Sequence, residues 1–311
     1  MNHAGKGAAG GVSISLDGKW LLAKDGRTRA VTVPHDWAIE GPFDPEGACD
    51  TGKLPYRGHG VYSRTFKLSA DERALLDAGG EIYLEFDGVM ADPLVEVNGM
   101  AAGGWDYGYM SFTLPIGRFI AEGENTLKVT CDTTKHHSRW YPGAGIYRSV
   151  RMKTVPRDHI LPGSLFITTP EIASHPATVQ VEYELSESGP RKRTFTVANP
   201  VLWDVDNPHL YTLELEGETF RYGIRDCTFT PDDGFILNGR RLQLKGVCLH
   251  SDLGPLGMAF SRDAARRQLS MMKDMGVNAI RTAHNPPAPE LLDLCDEMGF
   301  VVWDEAFDKW D

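Results

Sequence analysis

The sequence predicts a mostly β, multidomain chain: a jelly-roll β-sandwich, then an immunoglobulin-like β-sandwich, then the first three strands of a (β/α)8 TIM barrel. Three observations lead there. Residues 13–156 alternate apolar and polar side chains in several short runs and show no long helical pattern. Residues 157–230 continue in the same period-two manner. Residues 242–304 then read strand, helix, strand, helix, strand, the spacing of right-handed βαβ units. A length of 311 residues accommodates two or three domains at roughly 100–200 residues each.

Residues 1–12 are rich in Gly and Ala and are expected to be a flexible lead-in. In the first sandwich, 13–156, Ile82, Leu84 and Phe86 share one face; so do Val95 and Val97, and Leu127, Val129 and Cys131. Asn98-Gly99 predicts a type I′ hairpin, whose two central residues both need positive φ. Gly, Pro and Asp crowd 41–60, which reads as loop, and 71–76 allows one helical turn. Many short strands of this kind make a jelly-roll type of sandwich. In the second sandwich, 157–230, Val179, Val181, Tyr183 and Leu185 line one face. Phe195 and Val197 belong to another strand, and Tyr211, Leu213 and Leu215 to a third. The segment is shorter than the ~100 residues such a domain usually takes, so some strands are expected to be missing or very short.

The barrel segment is 231–311. An Asn-Gly turn closes 235–239, and 242–248 forms the first barrel strand. Ser261 is an N-cap with Asp263 in the first turn. Ala265, Leu269 and Met272 give helical spacing, and Gly276 supplies the stop. Residues 277–282 make a second strand. Pro289 and Glu290 open a second helix, with Leu291, Cys295 and Met298 on its apolar stripe and Gly299 at its end. Residues 300–303 are apolar on both faces, as a barrel strand wrapped by helices requires. Eight strands do not fit before Asp311, so the barrel is expected to be incomplete within this chain.

Each barrel strand ends in side chains of catalytic type: His250 after the first, Arg281 and His284 after the second, Asp304 and Glu305 at the third. In a parallel α/β barrel these tips meet on one face, where active sites lie. Two readings of 278–286 stay open. One is a capped strand end with Arg281 in a structural ion pair. The other is a pocket floor, where the His284 imidazole and the Asn285 amide orient hydroxyls while Arg281 keeps a carboxylate ionised. His250 is equivalent to His284 by barrel position. Asp304 and Glu305 are adjacent, so their side chains diverge: one faces the mouth while the other pairs with Arg281. The tract 139–148 also has two readings, core packing between domains or a loop that brings Arg139 or Trp140 against ligand. Trp105, Tyr107 and Tyr109 read as core or interface. No phosphate-binding loop, Gly-x-Ser-x-Gly elbow or His-Glu-x-x-His occurs.

A net charge of −11 offers no basic surface for nucleic acid or anionic lipid. No run approaches ~20 apolar residues, so no membrane span is expected. The first residues lack an apolar signal core, which points to a cytoplasmic location. Five scattered cysteines without a Cys-x-x-Cys pair read as reduced, mostly buried thiols.

Longer motifs add to this reading. Leu16-Asp17-Gly18-x-Trp20, Val33-Pro34-His35-Asp36-Trp37, Gly60-Val61-Tyr62 and Gly145-Ile146-Tyr147-Arg148 lie in the first sandwich. Pro208-x-Leu210-Tyr211 and Tyr222-Gly223-Ile224-Arg225 lie in the second. Asn278-x-x-Arg281-x-x-His284-Asn285-Pro286 runs on through Asp296-x-x-Gly299 to Asp304-Glu305. In these motifs the chain resembles the N-terminal part of glycoside hydrolase family 2, the β-galactosidase, β-glucuronidase and β-mannosidase family. The resemblance implies retaining hydrolysis through two glutamates. One follows an asparagine at the end of the fourth barrel strand, and the other ends the seventh. The sequence has no Asn-Glu dipeptide and reaches only the third strand, so no catalytic residue is expected in it.

By the same resemblance His250, Arg281, His284 and Asn285 are substrate-site residues and Asp304 and Glu305 support the floor; the loop reading of 139–148 adds Arg139 and Trp140 as candidate binding residues. Magnesium-dependent members carry metal ligands where this chain has Lys309 and Asp311, so no metal and no cofactor is expected. The implied partner is a carbohydrate, most like a terminal β-D-galactoside. A glucuronide or mannoside specificity, a non-catalytic carbohydrate-binding module, and an assembly fragment without independent role are the alternatives. A homo-oligomer is left open.

Overall fold

A computed structural model describes residues 11–42, 56–135, 140–172 and 176–307. Arg139, Lys309, Asp311 and Cys49 lie outside the described residues, as does the expected lead-in apart from Gly11 and Val12. Val12 already opens a strand.

The first sandwich is two antiparallel sheets. One has six strands in the order Arg27–Val33, Gly18–Lys24, His59–Lys67, Glu124–Asp132, Leu94–Val97, Met100–Gly104. The other has four, in the order Val12–Ser15, Val150–Val155, Glu81–Phe86, Phe112–Pro115. Alternation decides which side chains meet between them. Ile82, Leu84, Phe86, Val95, Val97, Leu127, Val129 and Cys131 are all fully buried, in one core with Trp20, Trp37 and Tyr62. The Asn98-Gly99 hairpin forms with φ of 52° and 77°, joining Leu94–Val97 to Met100–Gly104. The single helical turn expected at 71–76 is a full helix, Ala70–Asp77. A capping box starts it: Ser69 Oγ accepts from the Glu72 amide and the Glu72 carboxylate accepts from the Ser69 amide.

The second sandwich pairs a three-stranded sheet, Phe166–Glu171, Ala177–Leu185 and Gly189–Val197, with the hairpin Tyr211–Leu215 and Glu218–Tyr222. Val179, Val181 and Tyr183 from the first meet Leu215 and Tyr222 from the second in one core. An immunoglobulin constant-type sandwich has seven strands; five stand among the described residues.

A small antiparallel sheet, Cys227–Thr230, Gly234–Leu237 and Arg240–Arg241, leads into the barrel segment. Its Asn238-Gly239 turn has φ of 51° and 74°. Three parallel strands follow, Gly246–Leu249, Ala279–Thr282 and Val301–Trp303, in sequence order. The helices Arg262–Asp274 and Pro289–Met298 cover one face, and Ala265, Leu269, Ile280, Leu294, Cys295 and Phe300 form the core between. Ser261 caps the first helix and Gly299, in the left-handed region, ends the second. The first strand starts four residues later than the period suggests. Over that stretch the Asn278 side chain takes the backbone bonds a strand partner would make, accepting from Lys245 N–H at 2.8 Å and donating to the Gln243 carbonyl at 3.0 Å.

Two expectations need correction. Residues 300–303 are not covered on both faces: Trp303 is 67% exposed. It lines a groove of about 600 Å³ with Leu244, Val247 and Cys248 on the inner side of the sheet. Nor are the thiols mostly buried among the described residues: of the four described cysteines, Cys131 and Cys295 are buried and Cys227 and Cys248 are exposed. No helix among the described residues is long and apolar enough to cross a membrane.

The domains are tied together by polar groups. Glu297 accepts from Arg221 of the second sandwich and from Arg262 and Arg266 of the first barrel helix. Trp203 Nε1 donates to the Asp296 carbonyl at 2.8 Å. On the other side, Arg148 of the first sandwich donates to the Pro286 carbonyl at 2.8 Å, and Ser149 Oγ to Glu290 at 2.8 Å.

Candidate active site

The three parallel strands bring their C-terminal tips to one rim. The His250 and His284 rings lie 5.6 Å apart, edge to face. Trp140 arrives from the first sandwich and packs on both, with ring centroids 4.3 Å from His250 and 5.1 Å from His284. Residues 140–148 therefore reach the barrel mouth as well as packing between domains.

Behind the imidazoles stands an ionic cluster. Arg281 donates to Glu305 Oε1 from Nε at 2.8 Å and from Nη2 at 2.6 Å. His284 Nδ1 lies 2.8 Å from Glu305 Oε2 and 3.2 Å from Arg281 Nη2. The carboxylate contact is the shorter and needs a donor, so it assigns a proton to Nδ1. Thr282 Oγ1 donates to Asp304 at 3.0 Å and accepts from the Glu305 amide at 3.3 Å. The adjacent acids thus diverge: Glu305 takes the arginine and Asp304 the threonine. Desolvation pushes the Glu305 carboxyl up, but hydrogen bonds from Arg281 and His284 outweigh it, and its pKa falls below the ordinary glutamate value. Arg281 is raised in return, first by its bond to Glu305.

Those shifts have a testable sign. A carboxyl whose folded pKa is depressed contributes stability above its unfolded value of ~4.3, and loses it as pH falls through the folded value. Carboxyl ¹³C titration should place the Glu305 midpoint below ~4.3, and Arg281→Ala should raise it. An unmoved midpoint in the variant would show that the guanidinium is not what holds it down.

Asn285 is not open on the rim. It is 6% exposed, and its Oδ1 accepts the Tyr107 hydroxyl at 2.5 Å. Tyr107, an interface residue as its aromatic cluster suggested, thereby fixes the amide against the first sandwich. Two contributors lie inside the motifs at 33–37 and 278–286, but those motifs do not say what either side chain touches. Thr282 sits inside an apolar strand, and Asp36, 2% exposed, reaches from the first sandwich to the barrel loop at Met258. Among the described residues no group of three or more His, Cys, Asp or Glu is arranged to hold a metal ion.

Residues 164–225 match the family model described as Glycosyl hydrolases family 2, and residues 230–308 match Glycosyl hydrolases family 2, TIM barrel domain. The β-galactosidase BoGH2A of Bacteroides ovatus is 36% identical over 99% of the chain and 40% of its own length. The chain belongs to glycoside hydrolase family 2. A putative β-glucuronidase of Formosa agariphila is 34% identical over 92% of this family-2 chain and 31% of its own length. Among solved structures, a family-2 member from Bacteroides cellulosilyticus superposes with a TM-score of 0.83 at 30% identity, covering 95% of this chain and 46% of that one. A β-glycosidase from Bacteroides vulgatus gives 0.84 at 29% identity, over 96% and 45%. The family-2 chain thus spans less than half the length of each of these relatives.

Proposed function

We propose that this chain forms one wall of the sugar site of a retaining family-2 glycosidase acting on terminal β-D-galactosides, and that it does not catalyse hydrolysis by itself. The observation that carries the reading is the juxtaposition of Trp140, His250 and His284 in front of the Arg281–Glu305 pair. An indole offers an apolar face to a pyranose ring, and imidazole nitrogens bond its hydroxyls. Arg281, Asp304 and Glu305 hold the floor, and Asn285 holds the sandwich loop against the rim. In the complete reaction, a carboxylic acid protonates the leaving oxygen while a carboxylate attacks the anomeric carbon. Those two groups would come from barrel strands beyond the third.

The galactoside reading is supported by the relative from B. ovatus. Rim chemistry supports it too: among the described residues, the rim cation Arg281 is already neutralised by Glu305, which leaves it poorly disposed to a second carboxylate. A glucuronide is the second reading, favoured by the relative from F. agariphila. Titration of the ¹³C-histidine-labelled chain with methyl β-D-galactoside and with methyl β-D-glucuronide separates them. The galactoside is expected to shift the His250 and His284 signals at millimolar concentration. Shifts with the glucuronide alone would move the assignment to that sugar; shifts with neither would refute the site.

A further inference from the structure

The Asp36 carboxylate is buried and accepts four hydrogen bonds, all from neutral donors. Oδ1 takes the amides of Ala38 and Ala144, each at 2.9 Å. Oδ2 takes the Tyr141 hydroxyl at 2.7 Å and the Met258 amide at 2.9 Å. Burial pushes its carboxyl above the usual range even against these four bonds.

The donors come from three separate segments. Ala38 belongs to the turn that carries Asp36. Tyr141 and Ala144 belong to the loop that carries Trp140. Met258 closes the barrel loop that begins at His250. Two glycines let those loops approach, both at positive φ: a Cβ at Gly257 would run into Asp36 Oδ2, and one at Gly143 into the Met258 side chain. One carboxylate therefore holds the loop bearing the indole and the loop bearing an imidazole. Tyr141 is the chain neighbour of Trp140, so a shift of its hydroxyl moves the indole that packs on both histidines.

We propose that Asp36 is a positioning residue for the sugar site, acting through Tyr141 and Met258 to set Trp140 against His250 and His284 without touching sugar itself. This rests on the sugar-site reading above, but its first readout does not. An indole 4.3 Å from an imidazole shifts that ring's proton resonances, so the shift reports the stacking whether or not sugar binds. Asp36→Asn keeps the shape but turns one acceptor oxygen into an NH₂ that faces two donors.

The experiment compares ¹H–¹³C spectra of histidine-labelled wild type, Asp36→Asn and Tyr141→Phe, with methyl β-D-galactoside as the probe. In Asp36→Asn the His250 and His284 ring-current shifts should collapse, and galactoside affinity should fall at least tenfold, while signals of His159 in the second sandwich stay in place. Tyr141→Phe, which removes one of the four bonds, should show a partial collapse and about a threefold loss. It decides the matter if the asparagine variant does not fold. Wild-type stacking shifts retained in Tyr141→Phe and in any folded Asp36→Asn would overturn the positioning role. A wild type that shows the shifts but ignores galactoside would overturn the sugar reading instead.

Discussion

The purified 311-residue chain is expected to give no turnover of p-nitrophenyl β-D-galactoside above the uncatalysed rate. Retention needs two carboxyl groups about 5–5.5 Å apart on opposite sides of the glycosidic bond, one protonated and one free to attack. The acids at the tip of the third strand meet neither condition. Glu305 has Oε1 committed to Arg281 and Oε2 to His284, and those bonds depress its pKa, so it is neither a proton donor nor a free nucleophile. Asp304 is tied to Thr282 and sits next to Glu305 on one strand, where side chains point apart rather than across a bond. Glycosidase-scale acceleration is at least on the order of 10⁶, so its loss is easily read as nitrophenolate release over hours at millimolar substrate. Turnover that co-elutes with the chain and disappears in Glu305→Gln would overturn the inactivity and make Glu305 the group to study.

The second large effect concerns Arg148, the buried cation between the first sandwich and the barrel. Replacing it by methionine is expected to cost about 3 kcal/mol or more. Its side chain is 2% exposed, and its guanidinium donates to three carbonyls: Asp87 at 3.1 Å, Tyr109 at 2.8 Å and Pro286 at 2.8 Å. Methionine keeps much of the aliphatic volume but donates nothing. The Asp87 carbonyl keeps the Ser111 hydroxyl at 3.2 Å, but the Tyr109 and Pro286 carbonyls, left without a partner in a dry site, cost about 1–3 kcal/mol each. The Pro286 carbonyl belongs to the loop after the second barrel strand, so the loss also loosens the rim from the sandwich. Urea unfolding followed by tryptophan fluorescence measures the first effect, and hydrogen exchange measures the second. Lysine should recover only part, since one ammonium cannot reproduce the planar fork. A loss below about 1 kcal/mol in Arg148→Met would mean that water enters and satisfies the carbonyls.

The ion pair expected of Arg281 forms at the strand tips, the place where the pocket-floor reading also puts this residue. There it stands beside His284. Choosing between a structural pair and a pocket floor from sequence was not a matter of finer reading. A charged residue after an apolar strand looks the same whether its partner is structural or part of a site, because the partner lies on another strand.

What the sequence by itself determined is everything set by backbone geometry over a few residues. Ile82, Leu84 and Phe86 had to share a face because side chains alternate along a strand, and all three are fully buried. Asn98-Gly99 and Asn238-Gly239 had to turn because those residues tolerate positive φ. Ser261 and Gly299 had to bound helices. The equivalence of His250 and His284 followed from strand order alone. Only the tertiary structure decided which side chains from different domains would meet: Trp140 on the two histidines, Tyr107 on Asn285, Asp36 on Met258. Such pairs depend on how whole sheets dock, and docking is governed by the summed shape and burial of two surfaces. No local period records that sum, so the loops that complete the site carry no local sign of their partners.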